Sequence, residues 1–301
     1  MKLVRTGKVK EIYEVDRNTL EFVFTDSISV FDKVIPTTIP FKGETLCRTA
    51  AFWFQLLRKN GIRTHFTELV PPNRMRVKKV NVIDDYDSLT CLSRNYLIPL
   101  EFISRHYIAG SMYERIKRGE VMLEDLGFPT GHQVEYGEQI PKPFSETTTK
   151  LEPVDRLLTR DEAIDISGLT QEEYERVIDI MNRIDDLIAK ESEERCLIHV
   201  DGKKEFAFDE NRRLMVVDTF GTADEDRWWD EDGHAAGEFI ELSKESVRKY
   251  YKEIGYYDEL MAARREGRNE PDIPPLPDDR IEEFSQLYIE IFERITGESF
   301  R

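Results

Sequence analysis

Lys203 and Glu205, two residues apart, are answered by Asp218 at the end of the run Leu214-Met215-Val216-Val217. Side chains two apart on a strand share a face, so a hairpin here gathers the lysine and both carboxylates on one side. Asp209-Glu210-Asn211-Arg212-Arg213 supplies the turn. A four-residue loop over 210–213 pairs Asp209 with Leu214, and Glu205 with Asp218. That register sends Phe206, Phe208, Met215 and Val217 into the core and leaves Lys203, Glu205, Ala207, Val216 and Asp218 on the opposite face. Carboxylates side by side destabilise a sheet unless something neutralises them, and a divalent cation does so. Mg²⁺ commonly takes one or two carboxylates together with substrate phosphates, so the pattern suits an ATP–Mg²⁺ site. A solvated hairpin with an ordinary charged face would carry the same residues.

Four further groupings can do chemistry. In Gly7-Lys8-Val9-Lys10 the glycine allows close backbone approach, and Lys8 and Lys10 point the same way on a strand, as a phosphate clamp or as a solvated pair. Neither standard glycine-rich phosphate motif is present. Arg105-His106-Tyr107-Ile108-Ala109-Gly110-Ser111 reads as a strand end followed by a helix over Met112–Lys117, with Ser111 as its cap. A helix N-terminus with an arginine beside it makes an anion pocket, although a plain cap with a surface arginine looks the same. Lys150 to Asp155, with Glu152, follows a threonine run and can order phosphates or be merely solvated. In the acidic loop Asp218–Asp230, Arg227 stands beside Trp228 and Trp229, which can hold it rigid for an anionic substrate or simply anchor the loop. The five histidines, His65, His106, His132, His199 and His234, show no zinc-type spacing and no evident Ser or Cys partner. Neither a zinc hydrolase nor a catalytic triad is therefore expected.

The elements that must hold these residues come from a chain of 301 residues, long enough for one large or two modest domains. Hydrophobic residues at 40% and aromatic residues at 11% are ample for a packed core. The formal net charge of -17 repels polyanions, which argues against nucleic-acid and anionic-membrane partners. Any phosphate site must then be a local concentration of Lys and Arg. Three scattered cysteines without metal-ligand spacing suit a reducing compartment, and no apolar run reaches membrane-spanning length, so a cytoplasmic protein is expected.

Short β-rich runs at 3–5, 9–15 and 20–25 open the chain, and a helix is predicted over 44–59, where Leu46, Ala50, Trp53 and Leu57 recur at helical spacing before Gly61. Segments near 63–70, 74–80 and 98–108 read as strands. Thr170-x-x-Glu173 is a capping box opening a helix that runs to about Ser192, and 241–254 and 281–295 read as further helices. The expected fold class is α+β in two lobes: a β-rich N-terminal lobe over 1–98, where Lys8 and Lys10 would make it the nucleotide-binding one, and a mixed lobe over 99–301. The site is expected in the cleft.

In this order the motifs resemble the SAICAR synthetase family, the phosphoribosylaminoimidazole-succinocarboxamide synthases of purine biosynthesis. Gly7-Lys8-Val9-Lys10 is similar to the family's Gly-Lys-x-Lys strand, and Asp26 to Asp32 with Lys42-Gly43 to its Asp turn and helix start. Arg105 to Ser111 resembles the Arg-Asn-x-x-Ala-Gly-Ser signature. His199 to Phe206 resembles Val-Asp-Phe-Lys-x-Glu-Phe. The resemblance implies catalytic roles for Lys203 and Asp201, ATP contacts at Lys8, Lys10, Lys150 and Asp155, and metal ligation by Glu205 and Asp218. It implies that Arg105, Ser111, Arg227, Arg248 and Asp32 seat the substrates.

Four positions depart from the family pattern. Gly202 stands in place of an apolar residue, Thr219 of a glutamate, Val154 of a histidine and His106 of an asparagine. The implied reaction joins L-aspartate to the carboxylate of 5-amino-1-(5-phosphoribosyl)imidazole-4-carboxylate, consuming ATP, through an acyl phosphate. A small-molecule kinase or a non-catalytic nucleotide sensor would need the same lysines and carboxylates. Extra sequence near 82–95 and from about 256 to the end reads as surface elaboration or as contacts of a homo-oligomer.

Overall fold

Alternating short strands and tight turns at the N-terminus pair with their chain neighbours, which is the least costly way to close a sheet. In the computed structural model, which describes residues 1–301, they are β1 (Lys2–Thr6), β2 (Lys10–Asp16), β3 (Thr19–Phe24), β4 (Ser27–Val30) and β5 (Lys33–Thr38). Helix α1 (Lys42–Lys59) follows, then β6 (Phe66–Val70) and β7 (Arg74–Lys78). These form an antiparallel sheet in the order β1-β2-β3-β7-β6, with β4 and β5 as a separate hairpin. At the start of α1 the Gly43 N–H donates to Asp26 Oδ1 at 2.8 Å. A β-carbon at Gly43 would lie 2.5 Å from the Phe24 carbonyl oxygen, so glycine is what lets the helix start against β3.

The second sheet contains β8 (Tyr96–Leu97), β9 (Leu100–Tyr107), β10 (Gln139–Thr149), β11 (Leu157–Leu158), β12 (Leu197–Phe208), β13 (Leu214–Val217) and β14 (Asp226–Asp230). Its order is β11-β10-β9-β12-β13, with β8 and β14 also paired to β12. Helices α2 (Gly110–Lys117), α3 (Arg160–Ser167), α4 (Gln171–Glu193), α5 (Glu231–Ala235), α6 (Glu245–Glu253), α7 (Tyr256–Glu266) and α8 (Asp278–Thr296) complete the chain. Strand pairing within both sheets is antiparallel, which is the expected α+β class. No helix is long and apolar enough to cross a membrane.

The capping box at Thr170 and Glu173 forms as expected and opens α4. Strand β10 is not legible from alternation because it contains Pro141 and Pro143. Both fall between Gln139 and Phe144, where the pairing with β9 skips, so neither removes a ladder hydrogen bond. Arg227 and its tryptophans lie on strand β14 rather than in a loop, and Trp228 and Trp229 are fully buried.

The C-terminal segment corrects the expectation of a surface elaboration. Phe284, Tyr288, Ile291 and Ile295 of α8, and Tyr256 and Leu260 of α7, belong to the same apolar core as Phe22, Trp53, Phe102 and Phe206. The Tyr288 hydroxyl donates to Asp224 at 2.6 Å, where Lys42 also pairs at 2.8 Å, so the last helix is tied into the centre. Leu89, within the other extra segment, is buried in that core as well.

The central hairpin forms with a register one residue away from the expected one. Phe208 lies opposite Leu214, and Glu205 opposite Val217. The loop is Asp209–Arg213, because the Asp209 carboxylate accepts from the backbone N–H of Asn211 and of Arg213, each at 2.9 Å. Arg212 takes the left-handed conformation, φ 54°, to close it. Val216 therefore joins Phe206 and Phe208 in the main core, and Met215 and Val217 pack with Ala207 and Leu97 on the other side.

Candidate active site

The three central strands put their charges on one face by register alone. Asp201 of β12 lies opposite Arg105 of β9, and Lys203 opposite Ile103. Alternation then places Glu101 on the same face as Arg105, and Glu205 on the same face as Lys203. Asp201 also lies opposite Arg227 of β14, and Glu146 of β10 opposite Ile103. Even-numbered neighbours on β12 turn to the other face, where Lys204 is fully buried and pairs with Asp185 of α4 at 2.5 Å.

At one end of the charged face lies an alternating set of lysines and carboxylates. Lys203 Nζ is 2.7 Å from Glu101, 3.0 Å from Glu205 and 3.5 Å from Glu225. Lys150 Nζ lies 2.6 Å from Glu205 and 3.7 Å from Glu101. Lys10, arriving on β2 from the other sheet, pairs with Asp218 and donates to Thr219 Oγ1 at 3.3 Å. Asp218 follows the last residue of β13 and has φ 56°, so it leaves strand alternation there. This turn brings it to Lys10 despite the shifted register.

Burial alone would discharge Lys203, but Glu205, Glu225, Glu101 and Asp218 outweigh it and hold its pKa well above the ordinary lysine value. Burial likewise opposes ionisation of Asp218, yet Lys10, Lys150 and Lys203 pull it well below the usual carboxylate range. Glu101 is shifted upward, chiefly by burial. Lys203 therefore stays cationic and Asp218 anionic at neutral pH.

Beside this cluster a cavity of about 260 Å³ opens, lined by Lys10, Lys150, Glu205 and Asp218 at one end and by Ile12, Leu20, Phe22, Val77, Leu97 and Val217 along its walls. An apolar slot with a cationic end suits a flat heteroaromatic ring carrying phosphates. A larger hollow of about 460 Å³ near Arg58, Arg63 and Lys78 touches none of the lysine–carboxylate cluster.

The other end of the face holds arginines. Arg105 Nε donates to Glu146 Oε2 at 2.5 Å, Arg115 pairs with the same carboxylate, and Arg105 also reaches Ser111 Oγ at 3.4 Å. Ser111 is not the helix cap: Ala109 occupies the N-cap of α2, and Ser111 sits in its first turn, where its hydroxyl faces Arg105. Arg227 lies 2.7 Å from Asp201 and 3.4 Å from Glu245, which also holds Arg248 at 3.1 Å. Gly110, at φ 51°, clears space for it: a β-carbon there would come within 2.6 Å of the Arg227 guanidinium. Lys8 and Asp32 pair 2.7 Å apart and are both well exposed. Asp155 is shifted upward by burial and feels the charges of Lys203, Lys150 and Asp32.

The sequence motifs thus converge, with Lys8, Asp32, Ser111 and Asp155 exposed and the other site residues at least partly buried. Glu101, Glu146 and Glu225 are missing from the sequence reading. Glu101 and Glu225 hold Lys203 and Glu146 holds Arg105, and the only available signal was the even spacing of Glu101 and Arg105 on one strand.

Glu241 carries a testable electrostatic consequence. Burial, aided by Glu245 and Asp201, pushes it up to about 7 from an ordinary 4.5, against the pull of Arg227 and the Trp229 N–H donor. The folded chain holds this proton more tightly than the unfolded one, so the associated stability is complete below pH 4.5 and is lost as pH rises through about 7. Denaturant titrations near pH 5 and pH 8 should show the loss between them shrinking in Glu241→Gln. An unchanged loss would remove Glu241 as its source.

The model of the family described as SAICAR synthetase matches residues 3–263. A phosphoribosylaminoimidazole-succinocarboxamide synthase of Thermoplasma volcanium is 53% identical over 300 residues, covering 100% of both chains. The enzyme of that name from Saccharomyces cerevisiae is 31% identical over 309 residues, covering 99% of this chain and 95% of the relative. The solved SAICAR synthase of Saccharomyces cerevisiae complexed with SAICAR superposes with a TM-score of 0.74 at 26% identity, covering 99% of this chain and 95% of that one. A SAICAR synthetase (Type-2) in complex with ADP shares the fold, with a TM-score of 0.71 at 23% identity and 99% of each chain covered. With that match running along most of its length, and its lysines, carboxylates and arginines gathered on one sheet face, the chain belongs to the SAICAR synthetase family.

Proposed function

We propose that this chain ligates L-aspartate to the carboxylate of 5-amino-1-(5-phosphoribosyl)imidazole-4-carboxylate, with ATP cleaved to ADP and phosphate, in purine biosynthesis. The observation that carries the reading is the convergence of Lys10, Lys150 and Lys203 with Glu205 and Asp218, next to Arg105 and Arg227, which lie opposite Asp201, two residues before Lys203 on the same strand. A phosphate-binding end and an anion-binding end then face one another across a single reacting carboxylate.

In this reading the adenine lies in the apolar slot between the N-terminal lobe, 1–98, and the second lobe, 99–301. Lys8, Lys10 and Lys150 draw its phosphates inward, with Asp155 at the mouth. Arg105 and Ser111 take the ribose phosphate. Arg227, Arg248 and Asp32 seat the remaining charges of imidazole carboxylate and aspartate. The imidazole carboxylate oxygen attacks the γ-phosphorus as the bond to ADP breaks. Lys203 neutralises charge on the transferred group, a task of positioning and electrostatics rather than covalent catalysis. The aspartate amine then attacks the acyl carbon, phosphate departs and the amine proton is lost, with Asp201 placed to orient the partners.

The donor set at Glu205 and Asp218 fits Mg²⁺, since both are hard oxygen ligands at the phosphate end of the slot and two carboxylates are what a nucleotide-bound Mg²⁺ commonly takes. Bound there, Mg²⁺ would neutralise phosphate charge. Both carboxylates pair with lysines, and Glu205 and Asp218 would hold the ion once bound phosphates drew those lysines to themselves.

Release of ADP should be measured with imidazole carboxylate alone, with aspartate alone and with both. Sustained release and a succinocarboxamide product are expected only with both. Equal ADP release without aspartate would replace the ligase reading with a kinase or hydrolase one.

A further inference from the structure

Behind the charged face, the same strands carry a second set of converging donors. His106 of β9 lies on the opposite face from Arg105. His199 joins it because the pairing of β12 with β14 skips between His199 and Asp201, turning His199 away from the Asp201 side. Asp185 of α4 packs against both.

One donor atom from each of His106, Asp185 and His199 lies within 4.8 Å of the others, and the atoms left unpaired on these side chains are His106 Nε2 and Asp185 Oδ2, 3.8 Å apart, and His199 Nδ1. Each of the three atoms is buried and has no hydrogen-bond partner. Asp185 and His199 are themselves more than nine-tenths buried. Orphan polar atoms in a protein interior are rare and costly, and three on side chains packed together call for a ligand that accepts lone pairs.

Their surroundings prepare them for that task. His199 Nε2 is 2.7 Å from Asp226 Oδ2, so the ring proton belongs on Nε2 and the lone pair on Nδ1 is left to accept. Asp226 is fixed in turn by the Gly221 N–H at 2.8 Å. Lys204 donates to Asp185 Oδ1 and leaves Oδ2 to face His106 Nε2, 3.8 Å away. One lysine faces two carboxylates, Asp185 at 2.5 Å and Asp226 at 3.9 Å, so with neutral imidazoles the group keeps a net negative charge. A hollow of about 320 Å³ lined by His106, His199, Ser192 and Glu193 offers a path in from the surface. His106 and Gly202, two of the positions at which the chain departs from the family motif, both fall here, since a side chain at Gly202 would displace Asp226 from His199.

We propose that His106, Asp185 and His199 bind a divalent ion of the Zn²⁺ class, pinning β9, α4 and β12 together behind the active site. Two imidazoles and one carboxylate match the ligand chemistry of Zn²⁺, with a fourth position open towards the hollow. A tetrahedral ion needs ligand atoms about 3.4 Å apart, so the widest pair must draw in by at most about 1.4 Å, within reach of side-chain rotation. The ion takes no part in the ligation: the three donors lie on the far side of the sheet from Lys203 and Arg105. This inference does not rest on the assignment of the active site.

The full-length chain, stripped with chelator, should be titrated with Co²⁺ and then Zn²⁺. One equivalent of Co²⁺ should give the visible absorption of a tetrahedral site, Zn²⁺ should displace it, and Zn²⁺ should raise the unfolding temperature. His106→Asn, and in parallel His106→Gln, should weaken Co²⁺ binding at least about tenfold. Asp218→Asn, at the front face, should leave the signal intact. The proposal fails if the parent shows no stoichiometric signal, if both His106 variants that fold bind as the parent does, or if Asp218→Asn alone abolishes it.

Discussion

Asp218→Asn and Glu205→Gln each lower turnover by at least about a thousandfold while the fold persists. The size of the effect follows from where these two side chains stand. Glu205 lies between Lys150, at 2.6 Å, and Lys203, at 3.0 Å, and Asp218 holds Lys10. Each amide keeps shape and hydrogen-bonding capacity but removes the negative charge that keeps these lysines placed and that an ion would need. Neither side chain belongs to the main apolar core, so the loss is one of positioning and charge rather than of packing. Steady-state assays over a range of Mg²⁺, with circular dichroism to confirm the fold, decide the matter. Turnover within tenfold of the parent in both variants would sink the assignment.

Gly202→Val destabilises the chain by about 3–5 kcal/mol, on the order of 5–10 °C in the unfolding temperature of a chain this size. A β-carbon at 202 would lie 1.9 Å from Asp226 Oδ2 and 2.8 Å from His199 Nε2. Asp226 cannot simply step aside, because Gly221 and His199 both donate to it and it is buried. Moving it strands a buried imidazole and leaves Lys204 with less compensating charge. The apolar residue usual in the family would therefore be harmful in this chain. Thermal unfolding of Gly202→Val checks this, and a midpoint within about 1–2 °C of the parent would refute the packing argument.

Much of the active site was legible as local pattern. Lys203-x-Glu205 declares a shared face because strand periodicity is fixed by backbone geometry, and Thr170-x-x-Glu173 declares a helix start because a capping box closes within four residues. Arg105 through Ser111 likewise states its strand-to-helix turn within seven residues. The hairpin register was misread by one because it depended on how the Asp209 carboxylate folds the loop, a contact that composition does not reveal. The expected pairing of Glu205 with Asp218 does not form, and Asp218 meets Lys10 instead through its left-handed backbone.

By itself the sequence determined which residues carry charge to the sheet face, which segments are amphipathic and where several elements begin, since these are properties of a few neighbouring residues. Tertiary structure alone decided what those charges meet. Glu101 is 102 positions from Lys203, Asp185 is 79 from His106, and Tyr288 is 64 from Asp224, and only the packed chain brings each pair together. It also turned a C-terminal tail that looked like ornament into core, and it gathered two histidines without zinc-type spacing around one aspartate. The physical reason is the same in each case. A local pattern reports which way a side chain faces, whereas its partner is set by strand order, register and helix packing across the whole molecule.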